Sequence, residues 1–268
     1  MQQFLDRVRG VLALGALALV SACAQQEDLI GGVPVSEIVD GYGVIDDGDY
    51  VLPPIPAQFL SDVNRRAVVE YNGPEAPGTI VVDPHAKLLY FVEEDGLARR
   101  YAIAVGAQGL RMSRPSTVQL KREWPSWTPT ANMLRREPEV YGPFAAGIEG
   151  GLANPLGSRA LYLFQNGRDT HFRIHGTNDL PSIGNSGSAG CIRMFNHDII
   201  DLYDRVPNGT RVVVRTKEAS IELEGEELAN RGVFLPPNII DPEVIYGSDD
   251  SDGDEAADGD EDGDAEAA

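Results

Sequence analysis

The hydrophobic pattern changes character at Gly78. Before it, the chain is broken by Gly31-Gly32, Gly41, Gly43, Gly48, Pro53-Pro54 and Pro56, spaced by acidic side chains. That pattern predicts a linker, relieved by a helix-like stretch over residues 57–71 where Phe59, Leu60, Val63 and Ala67 share one face. From Gly78 onward, short β-rich runs alternate with turn residues, at 79–82, 88–94, 97–105, 118–122, 160–165, 168–175 and 211–215. Asp95-Gly96 and Asn166-Gly167 lie between such runs and predict tight hairpins, because both residue types tolerate positive φ. One helix is predicted after them. Asn196 is placed to cap it, and Ile199, Leu202, Tyr203 and Val206 follow at i, i+3, i+4 and i+7 as its buried stripe. The expected class is mainly β with short helices, and 268 residues are ample for a packed core.

The two ends read differently. Arg7 and Arg9 precede an apolar run from Val11 to Val20, which is shorter than the ~20 residues of a membrane span. Residues 1–22 therefore read as a targeting segment. Val20-Ser21-Ala22-Cys23 resembles the lipobox of bacterial lipoproteins, in which the cysteine becomes lipidated and N-terminal. The alternative is an ordinary secretory signal cut nearby. Both place the mature chain outside the cytoplasm. Under the lipobox reading, Ala24 rather than Asp after the cysteine points to the outer membrane of a Gram-negative cell, facing the periplasm. Residues 217–247 are proline-interrupted, and 248–268 form an acidic tail.

Charge and cysteine count exclude several classes. The net charge is −20, but eleven acidic side chains fall in the tail, which leaves 22 basic against 31 acidic elsewhere. Nucleic-acid binding needs clustered Lys/Arg and is not expected. Two cysteines rule out a disulfide framework and a Cys-rich zinc site. Asp258, Asp260, Asp262 and Gly263 match the start of a calcium loop, but the ligand position that closes one falls past residue 268, so a solvating tail is the better reading. Asn208-Gly209-Thr210 fits a glycosylation sequon and reads equally as a turn.

The chemistry concentrates between 168 and 193. With period 2, His171, Arg173 and His175 share one face of a strand while Phe172 and Ile174 face the core. His175 ends that strand at Gly176. A Gly- and Ser-rich loop then runs to Cys191 and can fold back to bring the thiol beside the imidazole. A free thiol with pKa ~8.5 is mostly protonated at neutral pH, and an adjacent imidazole can take its proton to make a nucleophile for acyl transfer. Spacing alone leaves a buried structural cysteine equally open. Trp124-Pro125-Ser126-Trp127 is either a platform for sugar or peptide, or core packing. His85 and His197 are expected at the surface.

His175-Gly176-Thr177, Ser188-Ala189-Gly190-Cys191-Ile192-Arg193-Met194, Asp198, Leu202-Tyr203, Val206 and Gly209-Thr210 resemble the L,D-transpeptidase catalytic domain, or YkuD domain. Gly78 to Val82, Tyr101 to Gly106, and Asn154 to Gly157 extend the likeness across about 140 residues. Many family members carry His where this chain has Ala189. The resemblance implies a β-sandwich-like domain over 78–216; the signal segment at 1–22 and the linker at 23–77 that precede it are read from their own composition. It implies no metal and no organic cofactor. Cys191 resembles the nucleophile and His175 its base, with the Gly176 carbonyl orienting the imidazole. Gly190 and Cys191 N–H groups resemble the oxyanion donors, with Ser188 nearby. Arg193 is either a substrate-carboxylate holder or a structural ion pair.

The implied substrate is a peptidoglycan stem tetrapeptide, cleaved with release of D-Ala. The acceptor would be a diaminopimelate amine, giving 3→3 cross-links, or a lysine of a protein thereby anchored to the wall. A hydrolase on the same scaffold, or a non-catalytic lipoprotein tethering membrane to wall, are the other readings.

Overall fold

The computed structural model describes residues 29–106, 114–187 and 191–246. The targeting segment, Cys23, Ser188, Ala189, Gly190 and the acidic tail lie outside the described residues. β1 (Leu29–Ile30) pairs with β2 (Val33–Pro34), and β3 (Ile45–Asp46) with β4 (Val51–Leu52). The remaining strands are β5 (Ala67–Glu70), β6 (Ile80–Asp83), β7 (Leu88–Val92), β8 (Leu97–Ala102), β9 (Ala104–Val105), β10 (Ser116–Glu123), β11 (Arg159–Gln165), β12 (Arg168–His175), β13 (Ser186–Gly187), β14 (Ile192–Arg193), β15 (Arg211–Val214) and β16 (Phe234–Leu235). They form one 12-stranded sheet in the order β16-β13-β9-β14-β12-β11-β10-β15-β6-β7-β8-β5. The helices are α1 (Ala131–Arg136), α2 (Pro138–Tyr141), α3 (Asn196–Arg205), α4 (Lys217–Glu224), α5 (Glu226–Ala229) and α6 (Pro242–Tyr246).

Strand periodicity explains the layering. Ile80, Val82 and Leu89 point into one core with Val118, Leu161, Leu163, Ile174 and Ile192 from the other half of the sheet. The sheet therefore curls, and α3 plugs the space between its halves with Ile199 and Leu202. Val81, Leu88, Tyr90 and Val92 point the other way, into a second cluster that Leu228 of α5 helps to cover. Both expected hairpins form, with Asp95 and Asn166 at positive φ followed by Gly96 and Gly167 at positive φ.

The expected linker is largely folded. Tyr42, Ile55 and Leu60 are buried with Ala102, Ala104, Leu180, Ile183 and Phe195 in a third cluster. Asp47 holds Arg159 through two 2.7 Å bonds and accepts Trp124 Nε1–H at 2.7 Å. Arg66 Nη1 lies 3.1 Å from the buried Asp198 of α3. The helix expected over 57–71 is instead a 3-10 turn, Ala57–Phe59, followed by β5. Tertiary pairing overrides the helical period here. Antiparallel partners on β8 satisfy the backbone of Ala67–Glu70, and its valines suit a strand.

Candidate active site

Strand register builds the site. β12 and β14 run parallel, with Ile174 opposite Ile192 and His175 opposite Arg193. Cys191, just before β14, therefore comes beside Arg173, whose backbone N–H and charge favour the thiolate. Side chains of Arg173, His175, Cys191 and Arg193 all line one cleft of about 640 Å³. His171 lines it too, as the alternation predicted. Its φ of 62° sits in a bulge where β11 and β12 shift register between Tyr162 and Phe164.

His175 is fixed by its neighbours. Its Nδ1 lies 2.6 Å from the Gly176 carbonyl oxygen, so Nδ1–H donates there and Nε2 is the basic nitrogen. The turn that aims this carbonyl is clamped by Asn196. Asn196 Oδ1 accepts the Ser158 backbone N–H at 2.9 Å, and Nδ2 donates to Thr177 O at 3.2 Å. The same oxygen fills the space that a β-carbon on Gly176 or Gly157 would occupy. Asn196 is thus not the helix cap the sequence predicted. Phe195 occupies that position, without a side-chain bond. Burial of Asn196 against two glycine turns makes the clamp the better use of its amide.

The resting pair is neutral. Burial pushes His175 down to about 4, and the Arg193 and Arg173 charges add to that. The carbonyls of Gly176 and Leu156 pull the other way, toward the protonated ring. Burial likewise pushes the Cys191 thiol up, against the Arg173 N–H and the two guanidinium charges. Each arginine has its own carboxylate. Arg173 grips Asp169 with two 2.7 Å bonds and stacks 4.0 Å from the Tyr162 ring centroid. Arg193 Nη1 bonds Asp179 Oδ2 at 2.7 Å, while its buried Nε has no partner among the described residues.

Two elements complete the cleft. One is the arm between β10 and β11, which brings Trp127, a platform candidate from the sequence, to the rim with Leu156 and with Tyr141, which the sequence did not single out. The other is the C-terminal extension, which supplies Phe234, Pro237 and Ile239. The extension is held by β16 pairing with β13 and by Asn178 Nδ2 donating to Ile240 O at 2.7 Å. The paired tryptophans divide their work: Trp124 packs on Tyr50 with centroids 4.3 Å apart, and Trp127 faces the cleft. Contrary to expectation, His197 is buried, its Nε2 2.6 Å from Gly43 O, because the folded N-terminal segment covers it. His85 is half-buried. Among the described residues no cluster of His, Cys, Asp or Glu could hold a metal ion, and no helix is long and apolar enough to cross a membrane.

Residues 77–214 match the family model of the L,D-transpeptidase catalytic domain, YkuD. The chain belongs to the L,D-transpeptidase catalytic-domain family. One relative in this family, "Probable L,D-transpeptidase ErfK/SrfK" of Escherichia coli (strain K12), is 37% identical over 139 residues, covering 51% of this chain and 43% of that protein. Another, "Probable L,D-transpeptidase YcfS" of the same strain, is 33% identical over 180 residues, covering 64% and 56%. The chain thus spans about half the length of these L,D-transpeptidase relatives. A crystal structure from Brucella melitensis, described as a probable carnitine operon oxidoreductase, is 54% identical, covers 56% of this chain and 93% of that one, and overlays with a TM-score of 0.39.

Proposed function

We propose that this chain is a peptidoglycan L,D-transpeptidase. The observation that carries the reading is the opening of Cys191 and the Nδ1-anchored His175 into one cleft. Substrate enters above a neutral thiol and a neutral imidazole. As Sγ attacks the carbonyl of the third, L-centred residue of a stem tetrapeptide, its proton passes to Nε2 of His175. The Gly176 and Leu156 carbonyls favour the imidazolium so formed. Backbone N–H groups of Cys191 and Gly190 stabilise the oxyanion. The intermediate collapses, the C–N bond to D-Ala breaks, and the departing amine takes the imidazolium proton. An acceptor amine then attacks the thioester and gives its proton to Nε2 of His175; the C–S bond breaks, and the departing thiolate takes that proton back from the imidazolium, restoring the neutral pair. Arg193 holds a substrate carboxylate through the donors Asp179 leaves free.

The acceptor is a second stem's diaminopimelate amine or a lysine of a protein to be anchored. The chain works in the periplasm, held through Cys23 at the outer membrane.

Incubating the protein with disaccharide-tetrapeptide and weighing the products tests the reading. Loss of D-Ala with a cross-linked dimer is expected. Loss of D-Ala with gain of water means a hydrolase, and an unchanged substrate means a non-catalytic tether.

A further inference from the structure

The residues lining the cleft fall into two chemical groups, although the Arg193 charge still reaches Tyr141. Around Cys191 the lining is charged, with Arg173, Asp179 and Arg193. The arm end presents an aromatic pair, Trp127 and Tyr141, with centroids 6.2 Å apart, flanked by the neutral side chains of Ser126, Thr128 and Asn132. Two charges also lie there, Arg136 and Glu137, of opposite sign. The arm is built to stay in place. Trp127 exchanges backbone bonds with Ile148 at 2.9 and 2.7 Å, Tyr50 OH donates to Gly150 O at 2.7 Å, and Asn154 Nδ2 donates to both Ile148 O and Glu149 O at 2.9 Å. Tyr141 is largely buried, its ring tilted 54° to the indole, and Trp127 is partly exposed where both line the cleft.

A partly exposed indole that shares the cleft lining with two hydroxyls and an amide suits a neutral ligand that is apolar on its faces and polar at its edges. A pyranose ring has that form. Its axial C–H groups cover an aromatic face, while its equatorial hydroxyls and an acetamide seek neutral donors and acceptors. A stem peptide, with its carboxylates, belongs at the arginine end. We propose that the arm end is a carbohydrate subsite, which takes the N-acetylated sugar carrying the stem peptide and makes sugar-bearing stems the preferred substrates. This rests on the peptidoglycan reading above.

The test compares kcat/KM for disaccharide-tetrapeptide and for the free tetrapeptide. Wild type is expected to favour the sugar-bearing substrate by about tenfold, the equivalent of one good aromatic contact. Trp127→Ala, and independently Asn132→Ala, should each shrink that ratio, with thermal melts confirming that both fold. Equal use of both substrates by wild type, or proportional losses on both in the two variants, overturns the subsite. If neither substrate turns over, the peptidoglycan reading itself has failed. Titration of the peptide-free disaccharide then decides the subsite. Saturable binding that Trp127→Ala abolishes supports it, and no binding to wild type overturns it.

Discussion

Asn196 Oδ1 occupies the space next to the Gly176 α-carbon while accepting the Ser158 N–H at 2.9 Å, so one amide fixes the turn whose carbonyl holds the His175 ring. Gly176→Ala should therefore lower kcat by at least tenfold, because the new methyl displaces the clamp and tilts the imidazole. Asn196→Ala removes the partner of a buried N–H and should cost about 1–3 kcal/mol of stability. Chemical denaturation and single-turnover rates read the two effects separately. A Gly176→Ala enzyme with wild-type turnover would contradict the clamp.

The pH profile follows from burial of the pair. His175 stays neutral down to about 4, so the base is competent well below the ordinary histidine range near ~6.5. The expected kcat/KM rises with pH through about 4 and is flat through neutrality. Arg193 contributes to that depression, so Arg193→Leu should move the acid limb toward neutral pH. An acid limb at ordinary histidine pKa in wild type would show that the imidazole is not held this way.

Asp47 is the N-terminal segment's main polar tie to the domain, bonded to the largely buried Arg159. Asp47→Ala strands that guanidinium and should destabilise by about 3 kcal/mol, visible as a lower denaturation midpoint. It also frees Trp124, at the root of the arm. Unchanged stability would mean the segment contributes little to the fold.

Much of the sheet was legible because its signals are local. The strands flanking Asp95-Gly96 and Asn166-Gly167 form hairpins whose turn residues dictate their pairing. The stripe of α3 was legible for the same reason: Ile199, Leu202 and Val206 are buried in the helical period. The expected run at 97–105 splits into β8 and β9, whereas β13, β14 and β16 are two-residue strands made by long-range pairing, and no periodicity can show two residues. The folded state of residues 29–66 was equally hidden. Gly and Pro mark irregular backbone, whether it hangs free or packs through Tyr42, Ile55 and Leu60. At the site, the motifs around His175 and Cys191 pointed to the cleft. Trp127 was flagged by its aromatic, proline-bearing segment, whereas Phe234 and Ile239 from the extension depend on a chain path with no local signature.

Membrane attachment gives a fourth prediction. Two or more acyl chains anchor stably where one does not, so wild type should sediment with membranes and Cys23→Ser should not. A soluble wild type whose mature N-terminus lies away from Cys23 would contradict the lipobox reading.

The central claim is that Cys191 carries the acyl group. Intact-mass measurement of the protein mixed with disaccharide-tetrapeptide whose diaminopimelate side-chain amine has been acetylated, so that no acceptor amine is present, tests it most directly. The account predicts one adduct equal to the substrate less D-Ala, mapped to Cys191, with free D-Ala released, and neither in Cys191→Ala. An adduct that persists in Cys191→Ala, or release of D-Ala by that variant at the wild-type rate, would contradict it.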